Sequence, residues 1–161
     1  MTDNTTKKQA GSKRKKVLAI ASRGGHWIQL LRLRPAFSDC DLTFVTTDPS
    51  YKTMVDGADF RVVTEATRFQ KLKMLLMAIQ MFWILLRVRP NVVLTTGAAP
   101  GYIAIRLGNW FGARTLWIDS IANAEELSLS GRLAVKYADT TLTQWEHLSG
   151  TDGIEYHGAV I

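Results

Sequence analysis

Cysteine occurs once in the 161 residues, at Cys40, so the chain has no internal disulfide and is not a disulfide-stapled scaffold. No stretch joins a charged start, an apolar middle and a small-residue cleavage site, as a secretory signal would. Together these absences predict a reducing, cytoplasmic setting. The longest apolar run, "MLLMAIQMFWILL" from Met74 to Leu86, is broken only by Gln80 and falls short of the roughly 17 to 25 residues that cross a bilayer. There is no Cys/His cluster at metal-ligand spacing, so no metal site is expected. The G-x-G-x-x-G dinucleotide fingerprint, the Gly-Lys-Ser/Thr of a P-loop and the G-x-S-x-G nucleophile elbow are all missing, and no cofactor is indicated. Internal repeats are absent as well.

An overall acidic balance is also lacking: the formal net charge is +6, and its placement matters. Of the 20 Lys and Arg, six lie within residues 1–16 against the single acid Asp3, whereas the remaining 14 face 13 acids. The body is therefore nearly neutral, and the excess sits in a short basic arm that also carries Thr, Gly, Ser and Asn. Such an arm reads either as a disordered, solubilising tail over residues 1–15 or as an attachment to an anionic surface, where each Lys or Arg near acidic lipid contributes about 1 kcal/mol. No nucleic-acid partner is expected, because the body has no basic stripe interleaved with aromatics.

What is present is an alternation of short apolar strands and helices. The stretches "KVLAIAS", "DLTFVTT", "DFRVVTE", "NVVLTT", "RTLWID", "TTLTQW" and "IEYHGAVI" read as strands. "HWIQLLRLRPAF", Phe69 to Arg89, "YIAIRLGNWFG" and "SLSGRLAVKYA" read as helices, "DPSYKTMVDGA" as a mixed connection or short helix, and "GAAPG" as a turn. This order predicts an α/β fold: one Rossmann-like open parallel sheet over residues 16–161 with helices on both faces. Ligands of such sheets lie at the carboxyl ends of the strands, where three turns stand out: Ser22 to His26, Thr95 to Gly101, and Asp119 to Glu126.

In "SRGGH" the paired glycines permit close approach to backbone N–H groups, and the helix start that follows favours negative charge. That is phosphate-binding chemistry, though a purely structural tight turn has the same composition. His26 is a candidate general base or, equally, a helix-capping residue. "TTGAAPG" allows a ligand or another backbone near the sheet edge. Asp119, Glu125 and Glu126 supply carboxylates to orient His26, receive a sugar hydroxyl, or cap a helix start.

Both faces of the Phe69–Arg89 helix are apolar. Leu72, Leu75, Leu76, Ile79, Trp83 and Leu86 form one, and Met74, Met77, Met81, Leu85 and Val88 form the other. A surface helix of a soluble protein needs only one such face. Burial on both sides would satisfy the pattern. So would a helix with one face on the sheet and the other, represented by Met74, Met77, Met81 and Trp83, on a membrane or partner, with flanking bases at head-group level.

"LSLSGRL", "YAD" and "TQWEHL", together with "SRGGH", "TTGAAPG" and "YHGAVI", resemble the acceptor-side subunits of split GT-B glycosyltransferases. These are the PssD-type exopolysaccharide proteins and the membrane-anchored subunit of the eukaryotic dolichol-linked N-acetylglucosaminyltransferase. The resemblance covers about Lys16 to Ile161 and implies the N-terminal half of a GT-B enzyme. It implies that this half binds a polyprenyl-diphosphate-linked sugar while a separate donor-binding, C-terminal-half subunit binds a UDP-sugar, with glucuronate or N-acetylglucosamine foremost. Length points the same way, since a two-domain enzyme needs about twice this chain. The same resemblance implies inverting transfer, with His26 as base or acceptor contact, Asp119 or Glu125 as second candidates, and Ser22, Gly24, Gly25, Gly97 and Gly101 around the acceptor. The eukaryotic relatives carry a membrane-spanning helix where only the basic arm stands here, so peripheral, monotopic attachment at the cytoplasmic membrane face is expected. The competing reading is a non-catalytic membrane adaptor that recruits and activates the catalytic partner.

Overall fold

The computed structural model describes residues 13–160, so most of the basic arm expected to be disordered lies outside the described residues. Among these described residues seven strands form one sheet: β1 (Lys16–Ile20), β2 (Asp41–Thr46), β3 (Asp59–Val62), β4 (Val92–Thr95), β5 (Arg114–Ile118), β6 (Thr140–Thr143) and β7 (Ile154–Tyr156). Every neighbouring pair is parallel, in the spatial order β3-β2-β1-β4-β5-β6-β7. The Rossmann-like reading therefore holds.

The period of two along β1 builds both sides of the core. Leu18 and Ile20 point into one cluster with Val93 and Trp117, covered by α2 (Lys71–Val88), α3 (Ala98–Trp110) and α4 (Leu129–Ala134). Val17 and Ala19 point into the other with Phe44 and Leu94, covered by Trp27 and Leu30 of α1 (Gly25–Arg32).

Strand order reverses at β1, whose neighbours are β2 and β4. The crevice between the carboxyl ends of β1 and β4 is thus the topological switch point, the usual ligand position in open α/β sheets. The turns after these two strands carry "SRGGH" and "TTGAAPG".

Two local expectations need correction. "GAAPG" is not a turn: all but its first glycine belong to α3, which begins at Ala98. Pro100 fits there because the first-turn N–H groups of a helix have no intrahelical partner, so the missing donor costs nothing. The helix over "SLSGRLAVKYA" is shorter than expected: it closes at Ala134 in tighter turns, while Asn109 Nδ2 donates to the Tyr137 carbonyl at 2.9 Å.

The larger correction concerns α2. Met77 and Met81 are fully buried, and with Leu85 they pack on the sheet. They are core residues, so the expectation that they contact a membrane or partner fails. Methionine is flexible enough to fill the irregular space over a twisted sheet, and residues 77, 81 and 85 share one stripe at four-residue spacing. The outward face is the other one: Leu72 is 84% exposed and Trp83 55%, with Leu75, Leu76 and Ile79 also exposed. Met74 is half-buried at the edge of the core. Gln80, the one polar residue in the run, accepts the Thr64 N–H at 2.7 Å.

Candidate functional site at the carboxyl edge of the sheet

The site begins at Gly24, which precedes α1 with φ +77° and lets the chain turn sharply out of β1. Its N–H donates to the Tyr51 hydroxyl at 3.1 Å. Tyr51 stacks on buried Trp27, with ring centroids 5.1 Å apart. The short 3₁₀ turn carrying Tyr51, Pro49–Met54, is capped by Asp48, which accepts from the Ser50 hydroxyl at 2.7 Å and the Ser50 amide at 2.9 Å. Those two bonds hold the Asp48 carboxyl below its ordinary pKa.

His26 lies in the first turn of α1 and is half-buried. Its Nδ1 is 2.8 Å from the Thr96 carbonyl, and the Thr96 hydroxyl donates to the His26 carbonyl at 2.6 Å. A carbonyl oxygen only accepts, so Nδ1 carries the proton and Nε2 of the neutral ring keeps its lone pair. Gly97, at φ +124°, makes this fit possible: a Cβ there would come within 2.9 Å of the ring's Cε1 and Nδ1. The chain enters α3 through Ala98, a non-glycine residue at φ +66°. Neither α1 nor α3 has a side-chain cap, so their first N–H groups remain free of capping side chains beside the histidine.

A cleft of about 250 Å³ adjoins His26. Ala98, Ser120, Asn123, Ser128 and Ser130 are among its lining residues, so its walls offer hydroxyls and an amide.

Asp119 lies beneath this wall, only 1% exposed. Oδ1 accepts from Trp117 Nε1 at 3.1 Å and the Ser128 hydroxyl at 2.6 Å; Oδ2 accepts from the Ser128 N–H at 2.8 Å and Asn123 Nδ2 at 3.1 Å. A carboxylate has about four acceptor positions, and all are used here. Gly131 leaves room for this arrangement, since a Cβ there would stand 2.7 Å from Oδ1. Asp119 therefore organises the loop. The cap of α4 is Ser128, whose hydroxyl also accepts the Gly131 N–H at 2.9 Å.

The remaining expected residues divide. Ser22 stands on the turn after β1, and no neighbouring atom occupies the space a Cβ on Gly25 would take. Gly101 faces the sheet, where a Cβ would overlap the Thr95 hydroxyl, so its role is to seat α3 on β4. Glu125 is exposed and is not among the cleft residues, and Glu126 pairs with Arg132 at 2.6 Å. Among the described residues no group of three His, Cys, Asp or Glu side chains gathers to hold a metal ion.

Sequence reasoning missed several groups. Thr96 locks the histidine, and "TQWEH" clamps the cleft wall: Gln144 Nε2 donates to the Asp119 carbonyl at 2.9 Å, Trp145 Nε1 to that of Ile121 at 2.9 Å, and a His147 ring nitrogen to that of Ala124 at 2.7 Å. The signals in the sequence were the concentration of polar residues directly after apolar strands and the motifs "TTGAAPG" and "TQWEHL" themselves, which did not specify these contacts.

A family model described as "Oligosaccharide biosynthesis protein Alg14 like" matches residues 43–160. The chain belongs to this family. This Alg14-like chain also shares its fold with larger solved proteins. Acinetobacter baumannii MurG superposes with a TM-score of 0.73 at 12% identity, covering 88% of this chain and 45% of MurG. The UDP-N-acetylglucosamine 2-epimerase of Rickettsia bellii gives 0.69 at 14% identity over 92% of this chain and 46% of the enzyme. A glycosyltransferase of Rickettsia africae gives 0.64 at 9% identity over 91% and 43%. At such identities the likeness is one of fold, that of the MurG-type GT-B glycosyltransferases, and the Alg14-like chain spans less than half the length of each neighbour. No curated protein matches it.

Proposed function

We propose that this chain is the acceptor-binding subunit of a split, inverting GT-B glycosyltransferase of PssD type. It takes a polyprenyl-diphosphate-linked sugar at the cytoplasmic membrane face. With a donor-binding partner it transfers a sugar from a UDP-sugar, glucuronate or N-acetylglucosamine, in exopolysaccharide or lipid-linked oligosaccharide synthesis. The observation that carries this reading is the His26 ring, locked through Nδ1–H to Thr96 with Nε2 free, beside two uncapped helix starts at the switch point.

In this scheme the acceptor diphosphate lies against the N–H groups opening α1 and α3, where helix dipoles favour anions. The first acceptor sugar occupies the cleft of Ser120, Asn123, Ser128 and Ser130. Nε2 takes the proton of the acceptor hydroxyl as its oxygen attacks the donor's anomeric carbon. The bond to the nucleoside diphosphate breaks on the opposite side, and the partner stabilises that leaving group. Asp119 acts through the wall it holds.

Membrane attachment in this reading uses the outward face of α2, joined by Trp110 (75% exposed) and Phe111 through their contacts with Phe82. Arg68, Lys71 and Lys73 at one end and Arg87 and Arg89 at the other supply charge for an anionic surface. No helix among the described residues is long and apolar enough to cross a membrane.

The test is His26→Ala assayed with the partner chain present. A lost general base lowers turnover by about 10² to 10⁴ while partner binding is kept. Turnover near that of the parent protein would contradict the reading and favour the adaptor.

A further inference from the structure

A large cavity among the described residues lies at the opposite edge of the sheet from His26. It measures about 860 Å³ and opens at the amino ends of β1, β2 and β3. Five cations line it: Arg14, Lys16, Arg34, Arg61 and Arg87. Only two lining carboxylates oppose them, Asp41 and Asp59. Arg61 is paired with Asp59 at 2.9 Å, Lys16 Nζ donates to the Val88 carbonyl at 3.3 Å, and Arg34 to that of Asp56 at 2.9 Å. The side chains of Arg14 and Arg87 have no hydrogen-bond or ion-pair partner among the described residues. Leu31, Phe37 and Leu42 add apolar wall. The cavity thus combines an uncompensated positive charge with an apolar lining, the chemistry of a phosphate-bearing amphiphile.

Its position selects the source of that phosphate. Arg87 follows Trp83 by four residues on α2, so the exposed stripe of Leu72, Leu76, Ile79 and Trp83 runs along the helix toward a cavity-lining guanidinium. We propose that the cavity is a phosphodiester site for the headgroup of an anionic phospholipid, seated where the apolar stripe ends. This inference rests on the membrane-facing role of α2 proposed above but not on catalysis, and the site is separate from the acceptor cleft.

The lone cysteine supplies a reporter, because half-buried Cys40 lines the same cavity. The full chain is labelled with a maleimide in the presence of short-chain phosphatidylglycerol below its micelle concentration, the matching phosphatidylcholine, or glycerol 3-phosphate. Phosphatidylglycerol is expected to slow Cys40 labelling saturably, whereas the other two leave it unchanged. In the Arg14→Gln/Arg87→Gln double variant the lipid concentration required rises about thirty-fold, as expected for loss of two lipid-facing cations. Lys136→Gln, which removes an exposed cation outside the cavity and off α2, leaves protection intact. Equal protection by glycerol 3-phosphate would overturn the lipid assignment; no protection, or protection unchanged in the arginine variant, would overturn the site. Labelling needs no partner and no sugar donor, so its failure is distinguishable from failure of the glycosyltransferase reading.

Discussion

At the scale of single residues, the two carboxyl-edge residues with the strongest chemistry do different work. His26 keeps one nitrogen free; Asp119 keeps no acceptor position free. Asp119→Ala leaves the Trp117 indole N–H and the Ser128 amide without their acceptor, and each stranded buried donor costs about 1 to 3 kcal/mol. The expected outcome is a loss of at least about 2 kcal/mol in urea unfolding. His26→Ala, by contrast, should leave the unfolding free energy within about 1 kcal/mol of the parent, since it removes one half-buried bond. If Asp119→Ala proved as stable as the parent yet inactive, Asp119 rather than His26 would be the better base. Gly97→Ala tests the lock itself. A methyl 2.9 Å from the ring, on a backbone at φ +124°, must displace His26, so transfer activity falls even though the histidine is intact.

At the scale of elements, α2 carries the clearest prediction. Trp83→Glu and Leu72→Glu lie on the outward face and are expected to weaken sedimentation with anionic vesicles while leaving the thermal midpoint nearly unchanged. Met81→Glu puts a carboxylate into the core and is expected to unfold the chain or lower its midpoint sharply. Vesicle binding unaffected by both surface changes would remove α2 from the membrane account. This helix also shows what sequence could and could not reveal. Two apolar faces were legible, but periodicity cannot tell which one meets the sheet. The methionine face won because Met77, Met81 and Leu85 fill the space above Leu18, Ile20 and Val93. The central strands were legible, since runs such as "KVLAI" and "NVVLT" are buried and need no alternation, whereas the edge strand expected over "IEYHGAVI" is only Ile154–Tyr156, two of its three residues being exposed. The start of α3 was not, because Pro100 and Gly101 ordinarily punctuate loops and their tolerance depends on being in a first helical turn.

At the scale of the whole molecule, the switch point between β1 and β4 explains why residues 70 positions apart, His26 and Thr96, form one unit. Sequence displayed both turns but not their reciprocal bonds, because nothing local in "SRGGH" specifies a partner in "TTGAAPG". Likewise sequence left Asp119 open between a base, a sugar contact and a helix cap until its donors came into view from Trp117, Asn123 and Ser128. The chain belongs to the Alg14-like family and shares the fold of the larger solved neighbours, and the proposal that it supplies one side of a cleft is tested by reconstitution. The most direct measurement is radiolabelled sugar transfer from UDP-sugars to a lipid extract, with this chain alone, the donor-binding partner alone, and both together. Transfer only with both chains, and its loss with His26→Ala, is the predicted result; full transfer by either chain alone would contradict the account.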